Sequence, residues 1–215
     1  MMVLWRHYGS QRAGKDMKWK TLKIIQVTDT EVIAQIGRLR AEVWKEFLTP
    51  AAMVNGTWTD SYDAVARHWA AFAGGEVVAA ARLTMHDALE DCPDWQDLMH
   101  FDLKIGLPFA YMGRLAVRKD ARTPGLAERF DSLRVAEARQ QGAKAVVVAP
   151  LHYRISTLLR GGFEYAGVSP LPPEERYYLP SASFETHIMV HRLGHSPVCP
   201  STGSGSNEAA RTAGT

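Results

Sequence analysis

The sequence is poor in the features that mark several large classes of protein. It has only two cysteines in 215 residues. Cys92 and Cys199 lie far apart, which argues against a disulfide-stapled secreted domain. No apolar run approaches the ~20 residues of a membrane-spanning helix, and residues 1–16 carry cations without the apolar stretch of a secretory signal. We therefore expect a protein of the reducing cytoplasm with no integral membrane segment.

The sequence also lacks a charge excess of either sign. Its 25 lysines and arginines nearly balance 23 aspartates and glutamates, so the net charge is +2 and nothing indicates nucleic acid as a partner. The histidines have no ligand-like spacing with the cysteines, so we expect no metal site. With 46% hydrophobic residues, the chain can fill one globular core, and its oligomeric state is left open.

Strand-like and helix-like patterns alternate through the middle of the chain. They predict one mixed α/β domain over residues 21–193, after an irregular segment 1–20 and before a Ser/Gly/Thr-rich tail 194–215 that we expect to be disordered. A helix begins at Asp29 or Thr30 and runs to Phe47. The other expected helices are 125–141 and 155–160, and the expected strands are 21–27, 69–73, 77–84, 111–117, 145–149, 163–168 and 184–192.

The connection between strand 111–117 and helix 125–141 has the composition of a phosphate-binding turn. Phosphates bind to backbone N–H groups at the positive end of a helix, and small residues such as Gly125 let them approach. Thr123 is a candidate N-cap, which makes Pro124 the first helical residue, where its missing N–H matters least. The N–H groups that remain and one cation form the candidate site: Arg122, Thr123, Gly125, Leu126 and Ala127.

The same turn has a simpler interpretation as an ordinary capped helix start beside a basic surface patch. Neither Gly-x-x-x-x-Gly-Lys-Ser/Thr nor Gly-x-Gly-x-x-Gly is present, so a nucleotide P-loop and a dinucleotide site have no support. The surrounding order of elements distinguishes the two interpretations.

That order carries a resemblance to a known superfamily. The stretch GRLAVRKDARTPGLAERF, residues 113–130, resembles the signature of the GCN5-related N-acyltransferases, in which an Arg/Gln-x-x-Gly-x-Gly/Ala turn binds the pyrophosphate of coenzyme A. Here the turn reads Arg122-x-x-Gly125-x-Ala127. The resemblance covers roughly residues 21–192. It implies a mostly antiparallel sheet flanked by helices, in which two parallel strands splay apart to form the donor cleft.

The resemblance also implies a donor and a way of holding it. The donor substrate is acetyl-CoA, acyl-CoA or the phosphopantetheine of an acyl carrier protein. Its thioester binds to backbone N–H groups of the splayed strand, for which the candidates are Leu115, Ala116 and Val117. The superfamily often has a tyrosine acid where this chain has Leu158. A thiol of pKa ~8.5 leaves readily without one, and Tyr153 is a candidate replacement.

A narrower resemblance lies upstream. The spacing of Arg40 and Trp44, of Asp60-Ser-Tyr-Asp63 and of Arg82-Leu is similar to that of the autoinducer synthases and the long-chain N-acyl amino acid synthases. Those enzymes carry an acidic residue three positions before a strand arginine, where this chain has a tyrosine. The resemblance implies substrate binding by Arg40, Trp44, Arg82, Tyr111 and Arg114.

Transfer of an acyl group to an amine also needs a base. The candidates are Asp60, Asp63, His86 and His152. Each candidate side chain also has a structural interpretation. Asp60 and Asp63 can cap a helix or form ion pairs, and Arg82 can belong to a structural pair, because a lone buried charge is costly. Arg40 can lie on a solvated helix face, Trp44 can be core, and His152 can be an ordinary histidine of a strand-to-helix turn.

Three functions are therefore open. The first is N-acyl transfer from a thioester to a small-molecule amine such as an amino acid. The second is autoinducer synthesis or long-chain N-acyl amino acid synthesis, which predicts a long apolar tunnel. The third is an acyl-CoA-binding regulator without catalytic activity.

Overall fold

The computed structural model describes residues 22–171 and 185–194. Seven strands form one sheet: β1 Ile24–Val27, β2 Arg67–Ala73, β3 Glu76–His86, β4 Phe109–Val117, β5 Ala145–Val148, β6 Glu164–Val168 and β7 His187–Arg192. Their spatial order is β1-β2-β3-β4-β5-β7-β6. Neighbouring strands are antiparallel except β4 and β5, which are parallel. The expected mixed, mostly antiparallel sheet with one parallel pair is confirmed.

Among the described residues, four α-helices accompany the sheet: α1 Thr30–Trp44, α2 Trp95–Leu98, α3 Leu126–Gln140 and α4 Ile155–Arg160. The cap of α1 is Asp29, whose Oδ1 accepts the N–H groups of Glu31 at 2.9 Å and Val32 at 3.1 Å. The helix ends before Phe47, the last residue expected in it. None of the helices among the described residues is both long enough and apolar enough to span a membrane. The predicted irregular segment 1–20 and nearly all of the predicted tail lie outside the described residues.

The two faces of the sheet are covered by different elements. Arg82 of β3 lies opposite Gly113 of β4, and Thr84 lies opposite Tyr111, so these side chains share one face. This side, the α1 face, is covered by α1 and by the connections 49–64 and 87–108. Met112 points to the other side, the α3 face, which packs against α3 and α4.

The two C-terminal helices that cover the α3 face end in the same motif. After α3, the N–H of Gly142 bonds to Arg139 C=O and the next N–H bonds five residues back. After α4, Gly162 bonds in the same way to Leu159 C=O. The two glycines have φ values of 80° and 84°, which only glycine adopts without cost. They differ in surroundings, because a Cβ on Gly162 would lie 2.9 Å from His191 Cε1, whereas one on Gly142 would meet nothing within 4 Å.

This pair allows backbone strain and steric conflict to be separated. We expect Gly142→Ala to lower the free energy of unfolding by about 1 kcal/mol, because a Cβ disfavours the left-handed conformation. Gly162→Ala should lower it by a further ~1–3 kcal/mol, because it adds overpacking against a ring that is held by a 2.6 Å hydrogen bond from His191 Nδ1 to Gly162 C=O. Urea denaturation of both variants measures the difference, and equal losses would contradict the assigned contact.

Candidate functional site

The parallel strands β4 and β5 separate partway along their length. Their pairing ends at Met112 opposite Val148, whereas β4 continues beside β3 as far as Val117. A cavity of about 480 Å3 lies at this separation and is lined by residues of both faces of the sheet. The splayed parallel pair is therefore present, and it opens a passage from one face to the other.

A bulge in β4 borders the same opening. Ala80 lies opposite Ala116 and Arg82 lies opposite Gly113, so β4 has one residue more than β3 in this interval. Arg114 within it has φ 54°. Such a bulge re-aims side chains and interrupts the ladder.

A backbone N–H group of β4 faces the gap beyond the bulge. The N–H of Arg118 donates to Val78 C=O of β3 at 2.9 Å. Because donors along a strand alternate in direction, the N–H of Ala116 also points to β3. The N–H of Val117 therefore points to the side from which β5 has separated, and Leu115, two residues before it, lines the cavity. Their role as thioester-binding residues stays a prediction.

The predicted phosphate turn has a different local geometry from the one expected. Leu126 N–H bonds to Thr123 C=O at 3.3 Å, with Pro124 second and Gly125 third at φ 80°, which is the pattern of a type II turn. Helix α3 begins at Leu126 with Gly125 as its N-cap. The predictions of Thr123 as N-cap and Pro124 as first helical residue are therefore wrong, because the turn needs its positive φ at the glycine and delays the helix.

The revised turn still presents donors at the start of α3. The first bond of the helix runs from Arg129 N–H to Gly125 C=O at 3.0 Å, so the N–H groups of Ala127 and Glu128 precede the helical ladder. Arg122 is exposed, and its Nε donates to Val117 C=O at 3.3 Å, which fixes its side chain near the end of β4.

On the α1 face, five charged residues form one continuous chain of ion pairs. Asp63 Oδ1 accepts from Arg40 Nη1 at 2.8 Å and from Arg82 Nη1 at 3.0 Å. Asp60 accepts from Arg82 Nη1 at 2.5 Å and from Arg114 Nη2 at 2.7 Å. Arg40 and Arg82 are each 1% exposed, so the interpretation of Arg40 as part of a solvated helix face is wrong.

The two aspartates of this network also cap a short 3-10 helix, Ser61–Ala64. Asp60 accepts the N–H of Tyr62 at 3.0 Å, and Asp63 Oδ2 accepts the N–H of Asp60 at 3.0 Å. Both oxygens of Asp63 are thus occupied, and Asp63 does not line the cavity, whereas Asp60 does. This arrangement favours the ion-pair interpretation of Asp63 over a role as base.

The network holds its charges at neutral pH. Burial opposes ionisation of both aspartates, but attraction and hydrogen bonds from the arginines outweigh it and lower the pKa of Asp60 and of Asp63. Burial, aided by Arg82 and Arg114, lowers the pKa of Arg40 to about 10 against the attraction of Asp63. At pH 7 all these groups remain ionised.

Aromatic side chains form the wall next to the network. The guanidinium of Arg114 lies 3.9 Å from the centre of the Trp58 ring, a cation–π contact. Trp44 packs against Trp58 with ring centres 5.9 Å apart, and both tryptophans line the cavity. Trp44 is therefore both packed against its neighbours and part of the cavity wall. Trp58 was not among the predicted residues.

A second group on the α1 face joins Tyr111 to a carboxylate that sequence reasoning missed. The Tyr111 hydroxyl donates to Asp94 Oδ2, and both residues line the cavity. Burial, reinforced by Asp94, raises the pKa of Tyr111 well above its usual range, so this hydroxyl remains a donor. Asp94 lies in the connection 87–108, which shows no helical or strand periodicity that would single it out.

On the α3 face, a buried arginine supports the bulge. Arg134 Nη1 donates to the backbone carbonyls of Arg82 at 3.2 Å and Gly113 at 3.3 Å. Its Nη2 donates to Asp131 at 2.6 Å, and Arg154 also pairs with Asp131. Asp131, Arg134 and Arg154 all line the cavity. A sequence signal existed, because Asp131 and Arg134 are one helical turn apart beside the apolar Phe130.

The remaining candidates are divided between the cavity and its surroundings. Tyr153 is 65% exposed and lines the cavity, as does the buried Leu158. His152 is exposed and does not line it. His86 is buried at 2.6 Å from Thr84 Oγ1 and outside the cavity wall, and burial lowers its pKa. Within residues 22–171 and 185–194, no group of three or more His, Cys, Asp and Glu side chains is placed to hold a metal.

Comparison with known proteins places the fold. No protein-family model and no curated protein sequence matches the chain. Among solved structures, the AHL synthase LasI has a TM-score of 0.59 at 15% identity, over 81% of this chain and 92% of its own. FeeM, an N-acyl amino acid synthase from uncultured soil microbes, has a TM-score of 0.59 at 10% identity, over 80% of this chain and 91% of its own. BjaI, a CoA-dependent acyl-homoserine lactone synthase, has a TM-score of 0.58 at 18% identity, over 81% of this chain and 85% of its own.

At these identities the likeness shows the fold and no more. The chain has the fold that the sequence resemblance implied, a sheet of the GCN5-related type shared with lactone and N-acyl amino acid synthases. The fold explains the splayed strands, whereas the roles of individual side chains depend on this chain's own contacts.

The ion-pair network predicts a specific acid sensitivity. We expect Asp63→Asn to lower the free energy of unfolding at pH 7 by about 3 kcal/mol, because it leaves buried arginines without their carboxylate. Because the pKa of Asp63 is lower in the folded state than in the unfolded state, its ionisation stabilises the fold above the unfolded pKa. This contribution to the free energy of unfolding is lost as the pH falls. The difference between wild type and variant, measured by urea denaturation, should therefore shrink below about pH 4.

The matched control is an exposed pair. Glu31 and Arg38 lie 3.1 Å apart with side chains 72% and 55% exposed, and Glu31→Gln should change the free energy of unfolding by less than about 0.5 kcal/mol. A loss at Asp63→Asn no larger than this, or one that is independent of pH, would show that the buried network contributes no net stability through its charge.

Proposed function

We propose that the protein is an N-acyltransferase that moves an acyl group from a thioester of coenzyme A, or of an acyl carrier protein, to a small-molecule amine such as an amino acid. The observation that carries the proposal is the cavity at the separation of β4 from β5, which Leu115 of β4 lines together with residues of both faces of the sheet. The cavity is lined from both faces of the sheet, so two substrates could enter it from opposite sides and react with each other. A coenzyme A donor also fits the cytoplasmic location expected from the sequence.

The donor's pyrophosphate is assigned to the turn at the start of α3. The N–H groups of Ala127 and Glu128 and the helix dipole favour a negative charge there. Gly125 leaves open space, since a Cβ at this position would have no neighbour within 4 Å. The exposed guanidinium of Arg122 can add a charge-assisted contact. These groups hold the donor, and they leave the pantetheine arm free to run along β4.

The thioester is assigned to the gap itself. Its carbonyl oxygen gains negative charge as the amine attacks, and N–H groups directed at that oxygen stabilise the transition state. We assign this role to the N–H groups of Leu115 and Val117. Arg134 supports the arrangement, because its bonds to the Arg82 and Gly113 carbonyls hold the bulge in place. Tyr153, which is exposed at the cavity, is the candidate acid for the departing thiolate.

The acceptor is assigned to the α1 face. Arg114 uses one guanidinium N–H on Asp60, and an arginine carries five donors, so it can also bind the carboxylate of an amino acid. The rings of Trp58 and Trp44 supply an apolar wall beside it. The network of Arg40, Asp60, Asp63 and Arg82 fixes Arg114 in position.

A synthase of the autoinducer or long-chain N-acyl amino acid type is the second candidate. The Arg40–Asp63–Arg82–Asp60–Arg114 chain has the spacing of those enzymes, and the folds of LasI, BjaI and FeeM support it. An autoinducer synthase would use SAM as acceptor, since the structure of BjaI has been solved with SAM and isopentyl-CoA. A long-chain N-acyl amino acid synthase would use a long acyl donor. The charged Asp131, Arg134 and Arg154 in the wall on the α3 side favour a short or polar acyl group over a long apolar one.

Donor binding at the turn is tested by substitution. We expect coenzyme A to raise the melting temperature of the wild type, and thiol to be released from at least one acyl-CoA or acyl carrier protein with an amino acid or SAM. Arg122→Ala should raise the KM for the donor about tenfold, which corresponds to the loss of one charge-assisted bond. Gly125→Trp should raise it more, because an indole fills the space above the first N–H groups.

The control for Gly125→Trp is Gly142→Trp, at the same φ of 80° and also without neighbours, but at the other end of α3. It should leave the KM unchanged. Coenzyme A binding without turnover on any acceptor would favour a non-catalytic regulator. Unchanged binding in Arg122→Ala and Gly125→Trp would exclude pyrophosphate from this turn.

A further inference from the structure

Four aspartates line the cavity: Asp60, Asp94, Asp97 and Asp131. Asp60 is held by Arg82 and Arg114, and Asp131 is held by Arg134 and Arg154. Asp97 is 1% exposed. Asp94 is partly buried, and no salt bridge within residues 22–171 and 185–194 joins it to an arginine or lysine. Among these four it is therefore the partly buried carboxylate without a salt bridge to a described residue.

The position of Asp94 is set by Tyr111. A Cβ on Gly113 would lie 3.2 Å from Tyr111 Cε1, so the ring lies along β4 towards the bulge, over a residue that has no side chain. The hydroxyl at the end of that ring donates to Asp94 Oδ2. Because Gly113 and Leu115 line the same cavity, this hydrogen bond holds a carboxylate of the 87–108 connection beside the part of β4 to which the thioester is assigned.

The groups that face Asp94 come from β4 and from its own connection. From β4 it faces the Tyr111 hydroxyl, and from its own connection it has Cys92 and Asp97 as neighbours. Burial raises the pKa of Cys92 and of Tyr111, so both are neutral at pH 7. The cation of β3 on this face, Arg82, is bound to Asp60 and Asp63. An ammonium group that enters here meets carboxylates without a competing free cation among these neighbours.

We infer that Asp94 is the catalytic residue that binds the acceptor's ammonium group and accepts its proton, and that Tyr111 is the positioning residue that holds Asp94 in place. The inference rests on the proposed acyl transfer and adds the residue that serves as base. It also gives the acceptor an orientation, because its amine lies at Asp94 and its carboxylate lies at Arg114. A zwitterionic amino acid carries both the ammonium group and the carboxylate, whereas a simple alkylamine carries only the ammonium group.

Acyl transfer in this arrangement forms a C–N bond and breaks a C–S bond. The ammonium group gives one proton to Asp94, and the nitrogen lone pair attacks the thioester carbon. The C–N bond forms as the C=O electron pair moves to oxygen, within reach of the Leu115 and Val117 N–H groups. The electron pair returns, the C–S bond breaks, and the second nitrogen proton ends on the thiolate sulfur. The products are an amide, a thiol and a proton on Asp94, which passes to solvent.

The experiment compares Asp94→Asn, Tyr111→Phe and wild type as full-length proteins, with the donor and acceptor that the wild type uses best. We expect Asp94→Asn to lower kcat/KM about a hundredfold or more, a typical contribution of a general base, and to abolish the acid limb of its pH profile. Tyr111→Phe should keep that limb and lower kcat more than it raises KM, because the carboxylate remains but loses the hydroxyl that positions it. Stabilisation by coenzyme A should be unchanged in both variants.

The control is Asp102→Asn, an exposed carboxylate of the same connection that does not line the cavity, which should behave as wild type. An Asp94→Asn enzyme with the wild-type rate and profile would overturn the assignment while leaving acyl transfer intact. A uniform loss in both variants with no change in the pH profile would also overturn it, by showing a structural role. A wild type without thiol release on any acceptor would overturn the proposed function and this inference together.

Discussion

The arrangement of the site depends on the burial of two guanidinium groups, those of Arg40 and Arg82. A buried charge without a partner is too costly to retain, so both arginines require the carboxylates of Asp60 and Asp63. These four residues come from α1, from the connection 49–64 and from β3. Their pairing therefore fixes three elements relative to one another, and Arg114 of β4 joins through Asp60. The wall of the cavity on the α1 face is a consequence of that electrostatic requirement.

The opening between β4 and β5 is the second constraint, and it acts through the backbone. A strand that loses its neighbour leaves N–H and C=O groups without ladder partners, and such groups are costly unless something else binds them. Arg134 binds the carbonyls of Arg82 and Gly113 on the α3 side. The N–H of Val117 points away from β3, to the side that β5 has left. In the proposed function a carbonyl of the donor would bind there.

The charges around the cavity are divided between the two faces of the sheet. The ion pairs of Asp60 and those of Asp131 are internally satisfied, so they shape the walls more than they attract ligands. Against this background, the proposed function assigns the acceptor to Asp94 and to the remaining donors of Arg114. It assigns the donor to the turn at Gly125, at the start of α3. In that proposal, donor and acceptor meet at the bulge from opposite sides of the sheet.

The order of elements could be predicted from the sequence, because each element has a local signature. The alternating strands, the valines of β5 and the Gly161-Gly162 helix stop are properties of short stretches, and the structure confirms them. The turn Arg122-x-x-Gly125-x-Ala127 was recognised from its neighbours, although its capping was predicted wrongly. Thr123 has the composition of a cap, but a type II turn with glycine in the left-handed region competed with it and prevailed.

The sequence by itself determined which residues could be charged and in which order strands and helices follow one another. The tertiary structure alone decided which charges neutralise one another. The spacing of Arg40, Asp60, Asp63 and Arg82 left capping, pairing and catalysis open, and only their contacts showed that they bind each other. Asp94 has no periodic context, and its place at the cavity depends on a hydrogen bond to a residue 17 positions away. Local periodicity is encoded in neighbouring residues, whereas a charge acquires its role from partners that folding brings close.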